Sequence, residues 1–248
     1  MAILVMDTAT EVLATGLIVE ENILVSAVSS TPRGHSTALA PLLQSILQSG
    51  RTTPHQLKKI VVGVGPGSYT GVRMAVSMAK SMAMALEIPL LPVSTLTALA
   101  YAAVPLIDKG PFLLLPLLYA RRGRAFGALY QGAGDGLEVL APESVQPISE
   151  WSSLATRAVQ DRQNQVKLVM IHDFPDAQAD EIPQFATSIH LKSNQERLPR
   201  GLWLASQTVR PMMREEIHEV LPNYMLEVEA QVRLRERGAA RFGNGLES

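Results

Sequence analysis

The chain has 248 residues, no cysteine and a formal net charge of -1, with 47% hydrophobic and 18% charged residues. That length allows one large domain or two modest ones, and the apolar content supports a sizeable core and excludes a disordered chain. Disulfides, thiolate zinc sites and cysteine nucleophiles are excluded, and nucleic acid has no global charge to follow, only a local patch at most.

In chain order, Ala2 to Met6 is a short, continuously apolar run that suits a central strand. It has no basic region and meets Asp7 too soon for a signal peptide, and the longer apolar stretches are broken by Pro, Arg or Lys. The expectation is a cytoplasmic protein without a membrane span. Val12 to Val19 and Ile23 to Val28 follow as strands, with Glu20-Glu21-Asn22 as the turn between them. Ser36 to Gln48 reads as a helix, because Leu39, Leu42, Leu43, Ile46 and Leu47 share one side. A strand at Lys59 to Val62, a glycine-rich loop and an apolar helix from Thr70 to Leu86 come next. Pro89 stops that helix. Leu90-Leu91 is a short strand, and Ser94 caps a third helix through about Ala103. Three antiparallel strands followed by helical crossovers predict one mixed α/β sheet.

Asp108-Lys109-Gly110-Pro111 reads as a linker. Beyond it, strands are expected at Phe112 to Leu118, Ala125 to Tyr130, Leu137 to Leu140 and Val166 to Ile171, with Ile189 closing an edge. Helices are expected at Ser149 to Val159, Leu202 to Val209 and Met213 to Leu221. The second half starts as strands like the first, so a diverged duplication is open. The expected organisation is a first lobe at 1–107, a second at 108–232 and a flexible tail at 233–248.

The stretch that organises the chain is Gly63 to Arg73. Four glycines and a proline in nine residues force a sharp turn between strand and helix. The helix start offers unpaired N–H groups, which could hold an anion or be capped by Ser68 or Thr70. The phosphate-gripping Gly-x4-Gly-Lys pattern is missing, and Gly-x-Gly-x-x-Gly fails by one position. Asp7, at the end of the first strand, could hold magnesium through water or fix the neighbouring loop. His35 beside Ser36 does not by itself make a nucleophilic pair. The helix 70–86 is apolar over more of its surface than one sheet face needs. It is either buried within the chain or shared between a sheet and a partner protein. Arg121-Arg122-Gly123-Arg124 is a compact basic patch or a solvated turn.

Asp7-Thr8-Ala9-Thr10, Arg33-Gly34-His35-Ser36, the block Gly65 to Arg73 and Ser94-Thr95-Leu96 together resemble the bacterial TsaB (YeaZ) family. The resemblance is specific to about residue 100 and weaker to Tyr224. It implies two actin-like (ribonuclease H-like) lobes, each a mixed sheet with helices. It also implies a noncatalytic scaffold in the synthesis of N6-threonylcarbamoyladenosine at tRNA position 37. The implied partners are a TsaD-like transferase and a TsaE-like ATPase, with a homodimer when the chain is alone and tRNA reached through the complex. No tightly bound cofactor or metal is implied; ATP and magnesium are used by the partner complex. Pairing through N-terminal-lobe helices gives Leu39, Leu42, Leu43, Ile46, Arg73, Met74, Ser77, Met78, Ala79 and Met82 as the expected interface. Asp7, Thr8, His35, Gly65, Gly67, Ser68 and Thr70 are the expected crevice or loop contacts.

Two positions depart from the family pattern. Tyr119 stands where the second lobe usually begins Asp-Ala-Arg, and Leu226 stands where Pro-x-Tyr-Leu-Arg usually ends in arginine. Losing both charges is expected to remove one ion pair from the second lobe. The competing readings are a small ATP-binding kinase-like or ATPase enzyme of the same fold and, with less support, a glycoprotease-like hydrolase.

Overall fold

The structure is a computed structural model that describes residues 1–30, 35–107, 110–133, 136–175 and 181–225. Strands β1 (Ala2–Asp7), β2 (Leu13–Val19), β3 (Asn22–Ser29), β4 (Leu57–Gly63) and β5 (Leu90–Val93) form one sheet in the order β3-β2-β1-β4-β5. The first three are antiparallel neighbours, and β4 and β5 add parallel to β1. The parallel additions need crossovers, supplied by α1 (His35–Ser49) and α2 (Tyr69–Leu86); α3 (Thr95–Ala103) follows β5. Helix α3 starts as its sequence requires, with the Ser94 hydroxyl accepting the Thr97 N–H. Helix α2 stops at Glu87, two residues before Pro89, through a left-handed residue at φ 54°.

The second sheet repeats this plan. Strands β6 (Phe112–Tyr119), β7 (Arg124–Ala133), β8 (Gly136–Pro147), β9 (Lys167–His172) and β10 (Thr187–His190) lie in the order β8-β7-β6-β9-β10. Antiparallel and parallel pairings fall in the same places as in the first sheet. Helix α4 (Ile148–Gln160) makes the first crossover. Among the described residues, no α-helix links β9 to β10. Two further helices follow, α5 (Leu191–Asn194) and α6 (Leu198–Ser206).

The layers run helix, sheet, helix, sheet, helix. One core joins the inner faces of both sheets around α3 and α6. A second core lies between the first sheet and α1 and α2, and a third between the second sheet and α4. Each core is made by strand residues alternating between two apolar faces, which is why β1 and β6 read as unbroken hydrophobic runs. Helix α6 follows the second sheet in sequence yet packs against α3 and the first sheet.

Met213 to Leu221 does not form the expected helix. Its only regular element is a short turn at Ile217–Glu219. Its backbone is held from outside instead: Met212 exchanges N–H···O bonds with Leu90, and Lys80 takes the carbonyls of His218 and Val220. These tertiary partners outweigh a weak local preference. The expected tail at 233–248 and the departure at Leu226 lie outside the described residues.

Candidate functional site

The glycine loop is filled by the chain itself. The carboxylate of Asp7 is fully buried. Its Oδ1 accepts the Ala9 N–H at 2.6 Å, and its Oδ2 accepts the Thr95 hydroxyl at 2.7 Å. Thr95 in turn accepts the Gly65 N–H at 3.2 Å and donates its own N–H to the Gly65 carbonyl. The Thr8 hydroxyl donates to the Gly71 carbonyl at 2.5 Å. Two glycines are there for space: a Cβ at Gly67 or Gly71 would overlap the carbonyl of Ala9 or Thr8. At the α2 start, the Ser68 N–H donates to the Ala9 carbonyl, the Gly71 N–H donates to the Ser68 hydroxyl, and the Val72 N–H begins the helical ladder on the Ser68 carbonyl.

Asp7 therefore acts as an internal clamp. Burial pushes its pKa up to about 6, against the lowering effect of its bonds to Thr95 and Ala9. Of the expected loop contacts, Asp7, Thr8 and Gly65 are buried, Gly67 is half-buried, and Ser68 and Thr70 are exposed. The His35 side chain lies outside the described residues.

The α2 helix carries two different apolar rows. Val72, Ala75, Val76, Ala79 and Ala83 are buried on the first sheet, where α1 contributes Leu39, Leu43 and Ile46. Fully burying a valine- or leucine-sized side chain contributes about 1.5–3 kcal/mol each, so this row explains why the helix sits where it does. Of the residues expected to contact a partner, Leu39, Ile46 and Ala79 are thus buried beneath the helices, and Leu43 is buried but also reaches the groove between them. Leu42, Met74, Met78 and Met82 are half-buried, and Arg73 and Ser77 are exposed. Between the helices lies a groove of about 550 Å³, lined mainly by apolar atoms and walled by Leu43, Leu47, Met78, Met82 and Pro54. Methionine suits such a wall because its flexible thioether adapts to irregular partners.

A second polar cluster was not foreseen. His172 and His190 end neighbouring parallel strands in register, and their rings lie 5.3 Å apart. The His172 Nδ1 accepts the Phe174 N–H at 3.2 Å, and Nε2 lies 2.8 Å from the Ser188 hydroxyl. In the neutral ring the proton is then on Nε2, so His172 donates to Ser188 and is not placed to take its proton. This disfavours a Ser–His nucleophile. Burial pushes His172 down to about 4, helped by His190. Asp173, raised to about 6 by burial, accepts the Tyr119 N–H at 2.6 Å. Lys192 and Glu11 form an exposed ion pair at 3.0 Å between the two halves. Sequence reading missed this cluster because His172 and His190 meet only through the register of two parallel strands. Arg121 and Arg122 form an exposed left-handed turn between β6 and β7.

A family-wide profile described as TsaD, tRNA N6-adenosine threonylcarbamoyltransferase, matches residues 23–230. The TsaB protein of Escherichia coli is 32% identical over 168 residues, covering 63% of this chain and 71% of that protein. The chain belongs to the TsaB family. The Bacillus subtilis TsaB is 36% identical over 151 residues, covering 61% of this chain and 64% of that one, slightly under two thirds of its length. A solved YeaZ structure from Pseudomonas aeruginosa, 22% identical with a TM-score of 0.68, covers 90% of this chain and 99% of that one and shares the fold. At the departure from the family pattern, Tyr119 ends β6 as Asp7 ends β1, and its backbone N–H is held by Asp173 just beyond β9, a bond that does not depend on the side chain at 119. Among the described residues, no cluster of three His, Cys, Asp or Glu could hold a metal ion, and no helix is long and apolar enough to cross a membrane.

Proposed function

We propose that this chain is a noncatalytic scaffold subunit of the assembly that makes N6-threonylcarbamoyladenosine at tRNA position 37. It pairs through the α1/α2 face with a TsaD-like transferase, a TsaE-like ATPase joins them, and the chain self-associates when alone. ATP and magnesium are used by the partner complex, tRNA is reached through it, and the setting is the cytoplasm. The observation that carries the reading is the contrast on one helix. The glycine loop before it is held by the chain's own Ala9 and Thr95, while methionines along its side border an open apolar groove. The kinase-like alternative needs an Asp7 carboxylate available to a magnesium ion, whereas Asp7 is wholly buried on Ala9 and Thr95.

The test is light scattering on size-exclusion chromatography, with this chain alone and with the TsaD-like protein of the same cell, followed by a tRNA modification assay. The expected result is a complex that restores modification when neither protein is active alone. Met78→Glu with Met82→Glu is expected to abolish association, because two charges would be buried in an apolar contact. A monomer that ignores the TsaD-like protein and consumes ATP by itself overturns the proposal.

A further inference from the structure

Residues 211–225 form a strap that follows α2 from end to end. At the far end of α2, Met212 pairs with the β5 edge, and Arg214 lies 2.8 Å from Glu87. In the middle, the Lys80 ammonium donates to the carbonyls of His218 at 2.9 Å and Val220 at 3.0 Å, and Ile217 and Val220 are buried beneath the helix. At the near end, the Asn223 N–H donates to the Val64 carbonyl at 2.7 Å, and the Asn223 side-chain amide donates to Glu143 on β8 at 3.1 Å. The inward side of the strap is thus held at every turn.

Its outward side is charged or polar along the middle, where Arg214, Glu215, His218 and Glu219 are exposed, and apolar at the end that meets the start of α2. Among the described residues, nine large hydrophobic side chains are exposed, and three of them, Met213, Leu221 and Tyr224, belong to this short strap. A fourth, Tyr69, is the first residue of α2 and lies ring to ring with Tyr224 at 4.8 Å. Leu221 is 72% exposed. Tyr69 is tied to Arg73, one turn on, by a 2.7 Å hydrogen bond and by the guanidinium lying 5.3 Å from its ring centre. Arg73 in turn begins the exposed row Arg73, Ser77, Ser81 beside the methionines. The strap patch is therefore continuous with the α2 face, and clustered exposed apolar groups of this kind mark contact surfaces.

We propose that Leu221 and Tyr224, with Tyr69, form a second contact patch for the same TsaD-like subunit, reached from the α2 face through Arg73. This rests on the docking role proposed above. The chemistry that fits is an apolar partner surface against Leu221 and the tyrosine rings, with a carboxylate opposite Arg73. Aromatic side chains bring large contact area at low entropic cost.

Full-length Leu221→Asp, Tyr224→Ser, Tyr224→Phe and Met78→Glu variants test it by calorimetric titration against the TsaD-like protein. Light scattering of the chain alone and thermal unfolding accompany the titration. Leu221→Asp and Tyr224→Ser should each weaken the complex about tenfold or more. Tyr224→Phe should bind as the parent does, and Leu221→Asp should keep the parent unfolding midpoint, because that side chain is already in water. Parent affinity in Leu221→Asp and Tyr224→Ser, with binding lost in Met78→Glu, overturns the patch and leaves the docking helix standing. Parent affinity in all three overturns both. Loss of self-association alone, or affinity that falls only with the unfolding midpoint, also overturns the patch.

Discussion

The two halves of the molecule share one strand order and solve the same local problem from opposite sides. In the first half a carboxylate on the central strand, Asp7, grips Ala9 and the Thr95 hydroxyl beyond β5. In the second, a carboxylate beyond the neighbouring strand, Asp173, grips the end of the central one at Tyr119. The first half then places an eighteen-residue helix between β4 and β5, while among the described residues no α-helix lies between β9 and β10. A crossover helix covers its sheet with one side and offers the other to solvent. The half with this helix carries the proposed docking face, and the other half carries the histidine cluster.

Breaking the glycine loop should give the largest effect on stability. Gly71→Val puts side-chain atoms where the Thr8 carbonyl oxygen already lies. A loss of about 3 kcal/mol is expected in urea unfolding, the upper end of what overpacking usually costs, because the atom in the way is backbone. The comparison site in the second half is Gly123, which has φ +66° and nothing within contact of an added Cβ. Gly123→Ala should cost about 1 kcal/mol, from backbone conformation alone. Equal losses at the two glycines would mean that the first loop is not packed as described.

The carboxylates sharpen the comparison through pH. Asp7 and Asp173 are both raised from 3.8 to about 6 by burial. Between about pH 4 and pH 6 the folded chain keeps protons that the unfolded chain has released, so each group makes stability fall as pH rises. The cost is fully present above about pH 6. His172, lowered from 6.5 to about 4, acts in the opposite direction, adding stability as pH rises through a similar window. Unfolding curves at pH 4, 5, 6 and 7 should therefore show a less negative slope in Asp7→Asn than in the parent, and a more negative one in His172→Asn. Slopes parallel to the parent in both would remove these groups from the pH response. The smallest effect belongs to the strap's exposed ion pair: Glu87→Ala should change stability by about 0.5 kcal/mol or less, because Arg214 and Glu87 are both largely solvated.

The strand sequence, the meander, the parallel additions and the Ser94 cap were legible because each rests on local pattern: apolar runs, turn residues and a hydroxyl at a helix start. The width of the apolar surface on α2 was legible too, but not its division. Periodicity gives the angle of a residue around a helix, not which neighbour stands at that angle. Ala79, Leu39 and Ile46 thus turned out to be core, and Met78 and Met82 to be groove wall. The strap could not be read as a strap, because its backbone partners are at Val64, Lys80 and Leu90, more than a hundred residues away in sequence. Its signal was present only as two apolar residues, Ile217 and Val220, before Pro222-Asn223-Tyr224.

By itself the sequence determined the first mixed sheet, the turn at the glycine block and the family, since these depend on residue type and short spacing, and the second mixed sheet followed from the family resemblance. Tertiary structure alone decided that Asp7 is a clamp, that the glycine loop is closed by its own chain and that His172 meets His190. The physical reason is the same in each case. Whether a polar group is available for chemistry depends on whether a partner has already satisfied it, and here the partners come from the loop after β1, from α3 and from β10.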